Sequence, residues 1–189
     1  MEEHKPWIIL LWGAPAAGKS TLANEIVDQY QRRTGRVLPH LGTDKLNQSV
    51  MGEKFIGGIR PRLYHCLQNL AEGLLEAGQS VLVEGTFLNP DSRERMKRLA
   101  SEQRVRLVSA QVGCRLALRE SRNSRRSSAA HVPDSFLQKA HQLAGNQIHQ
   151  ADFFFDTELN ESESLARFLL GSVGVPDRYG QVPGYPGKI

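Results

Sequence analysis

Short apolar runs alternate with amphipathic segments along this chain, the pattern of a parallel β-sheet covered on both faces by helices. The first run, Trp7 to Trp12, is apolar at every position, as a strand buried on both faces requires. A helix is predicted from Lys19 to about Arg33, where Leu22, Ile26 and Tyr30 recur every four residues. A second strand is expected near Arg36 to Leu41, running into Gly42-Thr43-Asp44. Met51 to Gly58 is too glycine-rich for regular structure and reads as a mobile loop. Leu63, Leu67, Leu70 and Leu74 mark a core-facing helix that Ala77-Gly78 stops. Ser80 to Val83 is the third strand, and Asp91 and Ser92 are placed to cap a helix reaching about Ala100. Val105 to Val112 is the fourth strand and Phe153-Phe154-Phe155 the core of the fifth, with two helical stretches between them separated by Ser127 to Pro133. The last helix is predicted from about Glu163 to Leu170. Beyond Gly171, frequent Gly and Pro predict a loosely held tail, with Tyr179 and Tyr185 as the alternative pins.

At 189 residues the chain has the length of one domain with a single continuous core, expected over 1–172 with the tail at 173–189. Cys66 and Cys114 lack any C-x-x-C spacing and read as buried free thiols of a reducing compartment. Met1 to Lys5 has no signal-peptide character and no apolar run approaches a membrane span, so the expected location is cytoplasmic and no membrane partner is expected. A formal charge of +4, from 24 Lys and Arg against 20 Asp and Glu, suits a protein that handles phosphates without demanding a nucleic-acid partner. Oligomeric state is not legible in the pattern.

The sharpest chemical signal follows the first strand. Gly13-Ala14-Pro15-Ala16-Ala17-Gly18-Lys19-Ser20 spells G-x-x-x-x-G-K-S between a buried strand and a helix, where backbone N–H groups and a helix N-terminus hold a polyphosphate. Lys19 is expected on the β- and γ-phosphates and Ser20 on Mg²⁺, with Thr21 beside it, so ATP and Mg²⁺ are the cofactors implied. The chain has no N-K-x-D string of a GTP reader, and the third strand ends Val83-Glu84-Gly85 rather than in Asp-Glu. A kinase needs a carboxylate near the acceptor hydroxyl, an acceptor pocket and cations closing over the phosphates. Asp44, past the carboxyl end of the second strand, is the candidate base, with helix capping by Thr43 and Asp44 as the alternative. Glu84, at the same sheet edge, reads either as an acid holding Mg²⁺ through water or the acceptor, or as a solvated strand-end charge. Thr86, Asn89 and Arg93 are candidates for the acceptor pocket, Asn89 alternatively capping the helix that Pro90 starts.

Arg115, Arg119, Arg122 and Arg126 recur at four, three and four, which lines guanidinium groups along one helical face. With the small-residue loop after them they predict a hinged lid at about 115–142 that brings arginines onto the phosphate. Arg122 and Arg126 are the expected catalytic pair and Arg115 faces solvent. His131, His141 and His149 match no metal template.

These residues resemble those of the P-loop small kinases, the AAA-domain group that includes polynucleotide 5′-hydroxyl kinases, chloramphenicol phosphotransferase and zeta-toxin-type kinases. The likeness runs from Trp7 to about Asn160 and rests on Gly13 to Ser20, Gly42-Thr43-Asp44, Thr86-Phe87-Leu88-Asn89-Pro90 and Arg122-Asn123-Ser124-Arg125-Arg126 followed by Val132-Pro133. It implies an α/β P-loop NTPase fold, a five-stranded parallel sheet with helices on both faces and a helical lid. It also implies that Asp44 is the general base, that Arg126 is the lid arginine, and that Asp156-Thr157 lies near the adenine. Two positions depart from the polynucleotide kinases. Asn47 stands where they carry an arginine, and Gly85 where they carry an aspartate, with Glu84 one step back.

The resulting expectation is a Mg²⁺- and ATP-dependent kinase acting on a hydroxyl of a small molecule, a metabolite, nucleotide sugar or antibiotic. A polynucleotide 5′-hydroxyl is the second choice, since stacking on single strands needs aromatic side chains and only 7% of the chain is aromatic, Phe55, Tyr64 and Phe87 being the candidates. A regulatory ATPase without an acceptor is the alternative of another class.

Overall fold

The computed structural model describes residues 5–52, 59–127 and 131–177. Five strands form one parallel sheet in the order β2-β3-β1-β4-β5. They are β1 (Trp7–Trp12), β2 (His40–Gly42), β3 (Val81–Gly85), β4 (Arg106–Gly113) and β5 (Phe153–Asp156). The helices are α1 (Lys19–Thr34), α2 (Thr43–Met51), α3 (Arg60–Glu76), α4 (Pro90–Glu102), α5 (Leu116–Ser124), α6 (Asp134–Gly145) and α7 (Ser162–Ser172).

The all-apolar first strand explains the architecture. Its side chains alternate between the faces of the sheet. Trp7, Ile9 and Leu11 enter a core with Leu22, Ile26 and Tyr30 of α1 and Leu165, Leu169 and Leu170 of α7. Ile8, Leu10 and Trp12 enter a second core with Leu67 and Leu75 of α3 and Met96 and Leu99 of α4. Each fully buried Leu or Ile contributes about 1.5–3 kcal/mol. With both faces covered, the sheet leaves its strand ends for chemistry. The carboxyl ends of all five strands emerge on one edge, where open α/β sheets bind ligands.

Several local expectations shift. β2 begins only at His40, because Pro39 has no N–H for the ladder; its carbonyl instead accepts from Leu82 N at 2.9 Å. β3 runs on through Glu84 and Gly85, so Glu84 belongs to the strand. In α3 the buried row is Leu63, Leu67, Ala71 and Leu75. That i+4 ridge leaves Leu70 off the contact and 47% exposed. Cys66, on the same helix, is exposed rather than buried, while Cys114 is buried. α4 is capped by Asn89, not by Asp91 or Ser92. The chain past Gly171 is not loose at its start, since α7 extends to Ser172 and Val173 and Val175 are buried in the first core. Of the loop expected at 51–58, Met51 instead ends α2 and Gly52 is its C-cap; 53–58 and 178–189, with Tyr179 and Tyr185, lie outside the described residues. Among the described residues no helix is long and apolar enough to cross a membrane.

Candidate active site

The loop after β1 is shaped by close backbone contacts. A Cβ added at Gly13 would lie 2.2 Å from the Val112 carbonyl oxygen, so only glycine fits beside β4. Gly13 N donates to the Thr86 carbonyl at 3.2 Å, which spends this amide on the β3–α4 turn rather than on a ligand. Ala16 is left-handed at φ 59°, which costs a non-glycine residue about 1–2 kcal/mol, and Gly18 caps α1 at φ 94°. Left-handed turns of this kind curl successive amides inward toward the N-terminus of α1, an anion-binding concavity. Ala14 and Ala17 are wholly buried and serve through their backbone.

A cavity of about 1700 Å³ opens above this loop. Pro15, Ala16, Gly18, Lys19, Ser20 and Thr21 line its floor side, Thr43, Asp44 and Asn47 come from α2, Glu84 and Gly85 from β3 with Thr86 just beyond it, and Arg122, Arg126 and Thr157 lie opposite. Every element was folded from a different part of the chain, and the parallel sheet brings them to one edge.

Lys19 Nζ donates to the Ala14 carbonyl at 3.0 Å. Burial pushes its ammonium down to about 8; Glu84 and Asp44 oppose the shift, and Arg126 and Arg119 add to it. Glu84 is 6% exposed, so it is not a solvated strand-end charge. Burial alone would raise its carboxyl, but hydrogen bonding and charge from His40, the Lys19 ammonium and the Ser20 hydroxyl outweigh that and hold it below the usual range. Glu84 Oε2 is buried with no hydrogen-bond partner among the described residues. A buried carboxylate oxygen left over beside a serine hydroxyl fits Mg²⁺, which takes hard oxygens and uses one or two protein ligands together with phosphates.

Asp44 is exposed in the first turn of α2, inside the helix rather than capping it, because Gly42 is the N-cap. One turn on, Asn47 is 8% exposed and its Oδ1 has no hydrogen-bond partner among the described residues. At Gly85 an added Cβ would meet the Phe87 ring and the Thr43 methyl at 2.9 Å. Packing therefore excludes a side chain there, and the carboxylate of β3 stands at Glu84 instead.

The arginine stripe divides. Arg115 is exposed and pairs with Glu158 at 2.7 Å. Arg119 is buried. Arg122 Nη1 donates to Thr157 Oγ1 at 3.0 Å and approaches the Ala16 carbonyl at 3.5 Å, and Arg126 lines the cavity. Thr157 Oγ1 donates to the Ala17 carbonyl at 2.8 Å, so it braces the phosphate loop. Asp156 is not on the cavity wall; its carboxylate accepts from Glu158 N at 2.8 Å and shapes the turn after β5. Asn123 Nδ2 donates to the Val132 carbonyl at 2.7 Å and its Oδ1 accepts from Val132 N at 3.1 Å, which pins the chain between α5 and α6.

Asn89 and Arg93 are not brought to the cavity. Asn89 Oδ1 accepts from Asp91 N at 3.0 Å as the α4 cap. Arg93 lies 4.1 Å over the Trp12 ring and donates to Phe87 O and Gln150 Oε1, tying α4 to β1. Thr86 does reach the cavity, with its hydroxyl 2.7 Å from Tyr64 Oη. Phe87 is buried and offers no stacking platform. His40 was missed as a site residue. Its signal was its place two residues before Gly42, on the same face of a strand leading into the site.

No curated protein matches this sequence. Among solved structures, the fold is similar to APS kinase CysC of Mycobacterium tuberculosis in complex with AMPPNP and APS, at 16% identity over 88% of this chain and 96% of that one, with a TM-score of 0.67. A sugar kinase of Janibacter sp. shows 17% identity over 90% of this chain and 95% of that one, with a TM-score of 0.64. A chain of the Pnkp1/Rnl/Hen1 RNA repair complex shows 20% identity and a TM-score of 0.64, covering 79% of this chain but only 47% of that one. At these identities the likeness establishes the fold, a P-loop α/β sheet. The sequence profile of the AAA domain family matches residues 8–145, from the first strand through the phosphate loop to the end of α6, and the chain belongs to that family.

Proposed function

We propose that this protein is a kinase that transfers the γ-phosphoryl group of ATP to a hydroxyl of a small molecule. The observation that carries this reading is one continuous cavity joining a phosphate loop to two carboxylates and two arginines. Its volume of about 1700 Å³ exceeds the roughly 300–1,000 Å³ of a single small-molecule site, which leaves room for an acceptor beside the nucleotide. The similar structures include an APS kinase and a sugar kinase, which supports a small acceptor.

In this reading the loop amides and Lys19 hold the β- and γ-phosphates. Ser20 and Glu84 hold Mg²⁺, which supplies charge neutralisation between the phosphates. Asp44 orients the acceptor hydroxyl in line with the γ-phosphorus and takes its proton onto a carboxylate oxygen as the new O–P bond forms and the bond to the ADP oxygen breaks. Arg122 and Arg126, on a lid formed by α5 and α6, neutralise charge on the transferring group. Thr86 and Asn47 line the acceptor end. The neutral Asn47, with its unpartnered Oδ1, suits a donor such as a second hydroxyl on the acceptor.

The test is a radiolabel transfer screen from γ-labelled ATP over nucleosides, amino sugars, antibiotics and oligonucleotides with 5′-hydroxyl ends. Label on a small molecule is the expected result. Label on the oligonucleotide alone makes the acceptor a polynucleotide, and hydrolysis that no acceptor stimulates makes the protein a regulatory ATPase.

A further inference from the structure

His40 lies outside the cavity wall, yet it touches the carboxylate that the site depends on. Its imidazole and the Glu84 side chain are each 8% exposed, with Nε2 3.2 Å from Glu84 Oε1. On the other side of the ring, Nδ1 is 3.1 Å from Lys45 Nζ. An ammonium carries only donors, so Nδ1 accepts in that contact and the ring N–H that faces Glu84 is Nε2. Nε2 is off the ideal hydrogen-bond line to Oε1, and it has no aligned hydrogen-bond partner among the described residues.

A second feature of the same strand bears on the same carboxylate. β2 and β3 are parallel with Gly42 opposite Glu84. His40 and Gly42, two residues apart, share a face. A Cβ at position 42 would lie 3.1 Å from Glu84 Oε1 and 3.4 Å from its Cγ, so the bare glycine forms the slot in which the carboxylate lies. His40 takes one oxygen at the edge of that slot, and Oε2 is the oxygen left unpartnered.

We propose that His40 is the positioning residue of Glu84: with Gly42 it anchors Oε1 so that Oε2 is presented to the Mg²⁺–nucleotide held by Ser20 and Lys19. This rests on the role for Glu84 proposed above. The arrangement is that of a metal-binding group oriented by a partner behind it, whose loss typically costs about 10–100-fold in metal affinity. Lys45 acts one step further back, fixing the tautomer.

The full chain, labelled with ¹⁵N in its histidine rings, gives the first readout. His40→Gln assigns the ring signals by their disappearance. The expected spectrum shows a proton on Nε2 and ring signals that move in Glu84→Gln. A ring protonated on Nδ1, or one indifferent to Glu84→Gln, overturns the proposal. The second readout is a Mg²⁺ titration of binding to a fluorescent ADP analogue. His40→Leu is expected to raise the Mg²⁺ midpoint about tenfold while leaving Mg²⁺-free binding within about twofold. His40→Gln, whose amide replaces the Nε2 donor, restores most of the loss, which a purely structural role does not predict. Gly42→Ala shifts the midpoint in the same direction with His40 intact and carries the comparison if His40→Leu fails to fold. A midpoint moved by Glu84→Gln but by neither His40→Leu nor Gly42→Ala overturns the role of His40 alone. A midpoint that Glu84→Gln also leaves in place overturns the Glu84 assignment and this inference with it.

Discussion

The two ends of the cavity are built by different means. The phosphate end, in the reading proposed, is a local structure made of eight consecutive residues whose backbone forms the concavity and whose few long-range contacts are with Val112, Thr86 and Thr157. The acceptor end has no such continuity. Asp44 and Asn47 come from α2 and Thr86 from the turn beyond β3, and Asn47 carries a buried oxygen with no hydrogen-bond partner among the described residues. A loop in which Gly13 admits no Cβ and Ala14 and Ala17 are wholly buried responds to substitution as one unit. A side-chain-built site depends on each residue separately, so single substitutions at the acceptor end are the way to separate the two.

The largest expected effect is at Asp44. Asp44→Asn removes the proposed base but keeps size and polarity, and transfer should fall about 10²–10⁴-fold. Nucleotide binding, which belongs to the other end, should stay within about twofold. Single-turnover kinetics and a nucleotide titration on the same sample measure both. If nucleotide affinity falls together with transfer, the two ends are not separable and the contrast fails.

Next come the two arginines. Arg122 reaches Thr157 and the Ala16 carbonyl, so it braces the phosphate loop as well as facing the cavity. Arg122→Ala should lower both nucleotide affinity and turnover, whereas Arg126→Ala should lower turnover by about 10²–10³-fold with a smaller change in affinity. Equal losses in the two variants would remove the distinction between brace and cap.

How much of this was legible depended on whether the cause was local. The strand before Gly13, the glycine spacing and Lys19-Ser20 lie together, and the loop formed where they predicted. The four-three-four spacing of arginines predicted one helical face, but α5 spans only Leu116–Ser124, so Arg119 and Arg122 lie on it while Arg115 precedes it and Arg126 follows it, and spacing says nothing of what each neighbour is. Arg115 found Glu158 and Arg119 found the interior. Arg93 resembled an acceptor-pocket cation by its place after β3, yet the ring face of the buried Trp12 and the Phe87 carbonyl drew it into the core. His40 had no motif at all, because its meaning lies in Glu84, forty-four positions away and one strand over.

A smaller effect separates the ends by pH. Lys19 sits near 8 in the folded protein against an ordinary 10.5, chiefly through burial. Between those values the unfolded chain holds a proton that the folded protein has lost, so the folded state gains stability as pH rises across that window. Nucleotide binding has the opposite sign, since the phosphates need the ammonium and affinity should decline as pH passes about 8. Denaturation midpoints and nucleotide titrations at pH 7, 8 and 9 should therefore move in opposite directions, and Lys19→Met should flatten both. Parallel trends would mean that another group governs this range.

The smallest effect tests the boundary of the acceptor end. Asn89 caps α4 through Asp91 N, and Ala at that position should cost roughly 1 kcal/mol of stability, a Tm drop of about 2–4 °C for a chain of this size. Its amide does not reach the cavity, so kcat and KM for the acceptor should be unchanged at temperatures well below the transition. Thr86, three residues earlier and on the cavity wall, provides the matched control: Thr86→Val keeps the shape, removes the hydroxyl paired with Tyr64, and should raise KM with little change in Tm. The two substitutions fall in the same turn and differ only in which way the side chain is directed. A KM effect from Asn89→Ala would extend the acceptor end along α4 and return Asn89 to the site.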